Sequence, residues 1–383
     1  IFGSGSRAPI AITLFVKNPA SKQHGRIHLH DIGDYLSRES KLGIIQGFGS
    51  VAGIAEANGW LKITPDAHGD WLKQRDDSFA EFIVIGDKKG DAKKLFDNFS
   101  LGVVTNRDSW CYNASKVAVE GNMKRMIAFY NAETARFSQE KANLPGKDRD
   151  QQVERFISTD GTKISWSVNL KKSLVAGRIG TFEAWKLTNS LYRPFTKHWL
   201  YQCRMFNHSL GQMPHIFPIM GENRTIMIKS RWTGSGQLAL MTNSLSALQA
   251  DGGEQCFPLY LYDTGEAAEA AVMPQTGFSF DALTAKPAGP TRRDAITDAG
   301  LAHFQAAYPG EPFTKEDLFY YVYGLLHSPD YRERYADNLS KDLPRIPCVK
   351  TAADFWAFSK AGRALADLHL NYESVEPYPL KID

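Results

Sequence analysis

Apolar and polar positions follow two different periods along this chain of 383 residues. Runs rich in β-branched and aromatic residues predict strands at 10–16 (IAITLFV) and 79–86 (FAEFIVIG), the first buried on both faces between Pro9 and Asn18-Pro19. Residues 60–77 predict a strand, a turn and a short helix, and 101–113 (LGVVTNRDSWCYN) a further strand-like element ending in polar and aromatic residues. Residues 28–30 read as a loop running into a strand, with 238–241 and 256–262 as short β-runs around Gly252-Gly253. The helical period dominates elsewhere. Residues 34–45 predict a helix capped by Ser37 or Asp34, and 120–142 a long amphipathic helix through Met123, Met126, Ile127, Tyr130 and Ala135. Thr314 with Asp317 opens another, Ser328-Pro329 restarts a helix that Pro344 and Pro347 end, and 351–370 supplies a third. Charged segments at 86–94 and 143–152, and the Pro/Gly/Ala-rich 267–293, read as loops or linkers. The fold class is therefore α+β (mixed): a β-rich irregular part, a long amphipathic helix and a C-terminal helical part.

Charge changes the picture only locally. With 45 basic and 42 acidic side chains the net charge is +3, so a charged surface must come from segregation. Residues 190–218 show it: Tyr192, Phe195, Trp199, Tyr201, Phe206 and Phe217 are interleaved with Arg193, Lys197, His198, Arg204, Asn207, His208 and His215, and no acid intervenes. Arg224, Lys229 and Arg231 follow against the single acid Glu222, and Lys171, Lys172 and Arg178 form a second acid-free cluster just before. Such a field attracts a polyanion. Arg forks onto guanine or phosphate, Asn onto adenine, and Lys adds point charge to a backbone. Aromatic core with basic stems laid over it is the alternative reading of the same residues.

Other chemistry is thinly represented. Gly3 and Gly5 precede a strand, and Gly47 to Ala52 follows a helix, whereas a dinucleotide loop needs its glycines after a strand and opening a helix. His24, His28 and His30 have no acid or thiolate at ligand spacing. Neither His198, His208 nor Cys203 has a third orienting group for a nucleophilic triad. Cys111, Cys203, Cys256 and Cys348 are scattered without paired spacing, as in reduced intracellular proteins, and no apolar run approaches the roughly 18 residues of a membrane span. The expected localisation is cytoplasmic. The chain opens at Ile1 without Met, as a piece of a longer protein would.

Four segments carry a resemblance: IFGSGSRAPIAITLFVKNP, HDIGDYLSRESKLGII, SLYRPFTKHWLYQCRMFNHSLGQMPHIFP and DLFYYVYGLLHSPDYRERYADNLSKDLPRIP. Together they resemble the C-terminal part of the type ISP restriction-modification enzymes, in which nuclease, ATPase, adenine-N6 methyltransferase and target recognition parts follow in series. The resemblance implies residues 1–58 as the tail of the methyltransferase domain, 59–300 as a DNA target recognition domain and 301–383 as its helical part. It implies double-stranded DNA as partner, beside the methyltransferase and nuclease/ATPase domains of the same polypeptide. Phosphate contacts would fall to Lys171, Lys172, Arg178, Lys197 and Lys229; base reading would fall to Arg193, Arg204, Asn207, Arg224 or Arg231, with His208 beside them. The family's cofactor glycines, its Asn-Pro-Pro-Tyr motif and any GKT or GKS loop are absent, so S-adenosylmethionine is expected in the parent enzyme and no cofactor or catalysis in this stretch. A protein-protein coupling module without DNA readout is the alternative.

Overall fold

The computed structural model describes residues 11–22, 25–140, 152–218, 221–263, 291–376 and 379–380. Two compact units result, Ile1–Arg75 and Asp76–Asp383. The expectations for 3–7, His24, 143–151 and most of 267–293 lie outside the described residues.

In the first unit, β1 (Ile27–Leu29) pairs antiparallel with a later strand, and between them come α1 (Arg38–Phe48) and α2 (Val51–Glu56). The partner strand is β2 (Leu61–Ile63), with His28 opposite Lys62. Ser37 caps α1 by accepting from Ser40 N at 3.1 Å, as its hydroxyl predicts. The glycine run 47–52 sits between the two helices. Gly49 at φ +65 ends the first and Ser50 caps the second, so no strand-to-helix phosphate loop forms there. The strand expected at 10–16 is not found in its described part: 11–16 are extended and exposed, with Phe15 at 89% and Val16 at 91%. A strand buried on both faces needs neighbours on both sides, and the described residues give it none. The short helix expected within 60–77 is replaced by a turn in which Asp66 Oδ1 accepts from the backbone of His68 and Asp70 at 2.9 and 2.8 Å.

The second unit opens on a 3₁₀ turn at Asp77–Glu81, then β3 (Ile83–Gly86) and β4 (Lys94–Phe96) flank the charged loop as parallel neighbours. Next come β5 (Ser100–Leu101), α3 (Asp108–Cys111), β6 (Tyr112–Asn113) and the 25-residue α4 (Lys116–Glu140). The strand-like reading of 101–113 thus fails halfway. Asn106 turns into the left-handed region at φ 54 and Thr105 Oγ1 accepts from Arg107 N at 3.0 Å, which stops the ladder and starts a helical turn. Helix α4 buries Met123, Met126, Ile127 and Tyr130 as its spacing predicts, but Ala135 is exposed; Thr134 and Phe137 carry the buried face onward. Lys124 and Arg125 pair with Glu120 and Asn122 on its solvated side.

After α5 (Val168–Val175), β7 (Leu187–Arg193) and β8 (Thr196–Tyr201) form a hairpin in a sheet ordered β11-β7-β8-β6. Here β11 is Leu245–Ser246, and before it lie α6 (Met213–Ile216), β9 (Thr225–Lys229) and β10 (Ala239–Thr242). Then β12 (Glu254–Pro258) joins the order β10-β9-β12-β5, while β13 (Tyr260–Asp263) pairs β14 (Thr291–Asp294). Of these strands β9 and β10 are buried on both faces, and they read as nearly continuous apolar runs without alternation, whereas β14 is exposed throughout.

The C-terminal helices are α7 (Asp298–Ala307), α8 (Lys315–Leu326), α9 (Pro329–Arg334), α10 (Ala336–Leu339) and α11 (Ala352–Leu370), with β15 (Arg345–Ile346) before the last. Thr314 and Asp317 complete a capping box on α8, and Ser328 caps α9 ahead of Pro329. Helix α8 is buried all round, from Leu318 to Leu326 without a break, because it lies inside the unit and packs along α11, which also meets β10. The mixed α+β architecture is therefore as expected, with helices and sheets sharing one core. Among the described residues, no helix is long and apolar enough to cross a membrane.

Candidate nucleic-acid interface

The hairpin of β7 and β8 is twisted shut by Pro194-Phe195, and Phe195 adopts φ 53, a conformation bulky residues rarely accept. Two edge-on ring contacts hold it there, His369 at 5.4 Å and Tyr372 at 5.3 Å between centroids. Below this tip Tyr192 stacks on His198, at 4.6 Å and 9°. The Arg193 guanidinium lies 4.3 Å from the Tyr192 centroid, a cation over a ring face. Tyr192 is braced from beneath by Tyr112 at 4.9 Å and donates its hydroxyl to Asp108 Oδ2 at 3.3 Å. Burial pushes the Tyr112 hydroxyl pKa up, so that phenol stays neutral and bonds Ser190 Oγ at 3.0 Å. Beside the stack, Lys116 stands over Trp199 at 4.8 Å.

Arg193 also rims a polar cleft of about 440 Å³, with Asn106, Asp108, Ser109, Ser165 and Gln249 among its walls. Its floor is rigid. Arg107 is 3% exposed and donates to Ser165 O at 3.0 Å, Ser167 Oγ at 2.7 Å and Phe206 O, joining three loops. Cys111 lies beside that guanidinium, and burial raises its thiol to about 12, which leaves an inert core group. Cys203 and Cys256 are buried too, and Cys348 is half-buried.

The residues proposed from sequence divide sharply by environment. Lys172, Arg178, Arg204 and Arg231 are exposed, and their side chains make no hydrogen bond or ion pair among the described residues. Lys171, Lys197 and Lys229 are half-buried and ion-paired, to Glu154 at 2.5 Å, Glu373 at 3.3 Å and Asp251 at 3.1 Å. Arg224 lies in a second cleft, of about 640 Å³, where it meets Tyr320 Oη and Asp367 Oδ1 (3.4 Å) across from Arg292 and Arg363. Asn207 is 2% exposed and its Oδ1 accepts from Cys203 N at 2.8 Å, so in this conformation it ties a buried turn and presents nothing to a base. His208 is exposed, and its carbonyl accepts from Asn169 Nδ2 at 3.2 Å. The hairpin thus brings Arg193 and His198 together with Asn106, Asp108 and Gln249, which sequence reasoning missed. The polar run Thr105 to Ser109, breaking an apolar stretch just before Trp110, was the available signal. Among the described residues no group of His, Cys, Asp and Glu could hold a metal ion.

A cation-topped aromatic stack thus lies beside a polar cleft on a mixed α+β scaffold. Residues 94–383 match the family profile of the Type ISP C-terminal specificity domain, and the chain belongs to that family. Among solved structures it is similar to a nuclease-deletion mutant of the Type ISP restriction-modification enzyme LlaGI in complex with a DNA substrate mimic. That match has 33% identity over 94% of this chain and 29% of the other, with a TM-score of 0.73. It is likewise similar to the ATP-dependent Type ISP restriction-modification enzyme LlaBIII bound to DNA, at 31% identity, 94% and 21% coverage and TM-score 0.72. The DrdV–DNA complex follows at 30% identity, covering 84% of this chain and 29% of that one, with TM-score 0.66. The chain spans less than a third of each of these proteins. No curated protein gives a match.

Proposed function

We propose that this chain recognises a specific double-stranded DNA target for a restriction-modification enzyme that methylates adenine at N6. The observation that carries the reading is the exposed Arg193 guanidinium, oriented by the Tyr192–His198 stack at the mouth of a rigid polar cleft. Such a group reads base edges, while the unpaired Lys172, Arg178, Arg204 and Arg231 neutralise phosphates and set register. The similarity to LlaGI and LlaBIII, whose structures hold a DNA substrate mimic and DNA, supports the same partner. In this reading 1–58 is the tail of the methyltransferase domain, 59–300 the recognition domain and 301–383 its helical brace.

The methyltransferase and nuclease/ATPase parts would belong to the same polypeptide, and the duplex would be held so that an adenine can be extruded into their pocket. S-adenosylmethionine would be held by that methyltransferase part; in this chain the glycine run at 47–52 separates two helices and opens no strand-to-helix loop.

Selection of the purified chain on a pool of randomised duplexes at two salt concentrations tests the proposal. Enrichment of one short motif, with affinity falling steeply in salt, is expected. The ion-paired Lys171, Lys197 and Lys229 favour the coupling-module alternative to the extent that their charge is already spoken for. Absence of retention at low salt would decide for that alternative.

A further inference from the structure

We infer that Asn106 and Gln249 are specificity-determining residues that read adenine edges in the major groove, on the same cleft as an Arg193 that reads guanine. The inference rests on the DNA reading above and deepens it by naming groups that composition did not single out. Asn106 and Gln249 are both exposed on the walls of the hairpin cleft, and neither side chain has a partner among the described residues. The two residues that follow Asn106 are engaged. Arg107 is spent on three acceptors, and Asp108 takes hydrogen bonds from Thr105 and Tyr192.

Free side chains read sequence only if their backbones are held, since a base edge presents its donor and acceptor at fixed spacing. Both backbones here are held. Asn106 is pinned between Thr105 Oγ1, which accepts from Arg107 N at 3.0 Å, and Ser165 Oγ, which donates to the Asn106 carbonyl at 3.4 Å. Its φ of 54 suits Asn better than any other residue except Gly. The loop carrying Gln249 is stitched on two sides, Ala247 N to Leu191 O and Leu248 N to Val103 O, both at 2.9 Å. Arg193 Nη1 donates to the Gln249 carbonyl at 3.4 Å, so the guanidinium and the amide are carried on one frame.

The chemistry then follows from the groups. A carboxamide offers one donor and one acceptor side by side, the complement of adenine N6 and N7, whereas a guanidinium offers two donors, the complement of guanine O6 and N7. Two amides and one guanidinium on a single rim therefore suit a site containing adenine and guanine.

The test is selection on randomised duplexes with the full chain and its variants Asn106→Gly, which keeps the positive φ, and Gln249→Ala, each checked for an unchanged thermal midpoint. The expected result is a wild-type motif in which each variant lowers the preference for one adenine about tenfold or more, the other positions and the salt dependence staying as they were. A motif lacking adenine, or one unchanged in either variant, overturns the inference for the residue concerned and leaves the DNA reading standing. A wild-type chain that binds duplexes without any motif, or binds none, removes both.

Discussion

Gly324 of α8 and Gly362 of α11 meet backbone to backbone. A Cβ placed on Gly362 would stand 2.7 Å from Gly324 N and closer still to the Tyr320 carbonyl; one on Gly324 would be 3.2 Å from Gly362 N and against the Phe358 carbonyl. Neither neighbour is a side chain that can swing away, so the two helices can cross this closely only where both residues lack a side chain. Gly362→Ala is expected to push them apart and lower stability by about 1–3 kcal/mol or more. Urea unfolding should show a lower midpoint at an unchanged slope. An unaltered midpoint would mean that the helices do not touch there.

That crossing illustrates what could and could not be read from residues in order. Helices α4 and α8 were visible because each carries a broad apolar face, and α8 also because Thr314 with Asp317 marks its start. The strand expected at 10–16 needed partners that periodicity cannot report, and the element at 101–113 was broken by one left-handed residue, Asn106. In the site, the aromatic and basic run from Tyr192 to His198 was plain in composition. Which of its charges are free was not, because Lys197 pairs with Glu373 and Lys171 with Glu154 across long stretches of chain. Asn207 looked like a base reader and is a buried tie, since its environment is set by Cys203 and not by the basic residues around it in sequence.

His327, at the end of α8, is surrounded by Tyr323, His369 and Arg332, and burial with those two cationic neighbours pushes its pKa down to about 4. His369 is lowered too, by burial. The unfolded imidazole binds its proton near pH 6.5, so the stabilising difference is complete above that value and is lost as pH falls toward 4. Between pH 7 and pH 5 the loss from His327 should reach about 2 kcal/mol. Thermal midpoints measured across this window should fall, and His327→Phe should flatten the lower end; a curve equally steep in that variant would place the titration elsewhere.

Arg107 joins the loops at 165–167 and 203–207 to the start of α3, and among the described residues no carboxylate pairs with it. Arg107→Met would leave the Ser165 and Phe206 carbonyls without their donor in a buried place. A loss of about 2–4 kcal/mol is expected. Because those loops floor the hairpin cleft, motif selection should weaken in the folded fraction while retention of duplex at low salt persists. Chemical unfolding alongside the selection assay separates the two effects, and a variant as stable as the parent would show that the guanidinium is not structural.

The split between free and paired cations gives the sharpest expectation for binding. A phosphate contact made by an exposed, unpaired side chain releases a condensed counterion, whereas a lysine already neutralised by a carboxylate must first give up that partner. Removing Lys172, Arg178, Arg204 or Arg231 one at a time should each lower the slope of log affinity against log salt by about one where the residue meets a phosphate. Lys171→Ala, Lys197→Ala and Lys229→Ala should change it less, because each lysine is already neutralised by Glu154, Glu373 or Asp251. The slopes come from titrations at four or five salt concentrations on one duplex. If the paired lysines proved to carry the slope and the exposed four did not, the phosphates would run along the ion-paired side of this surface.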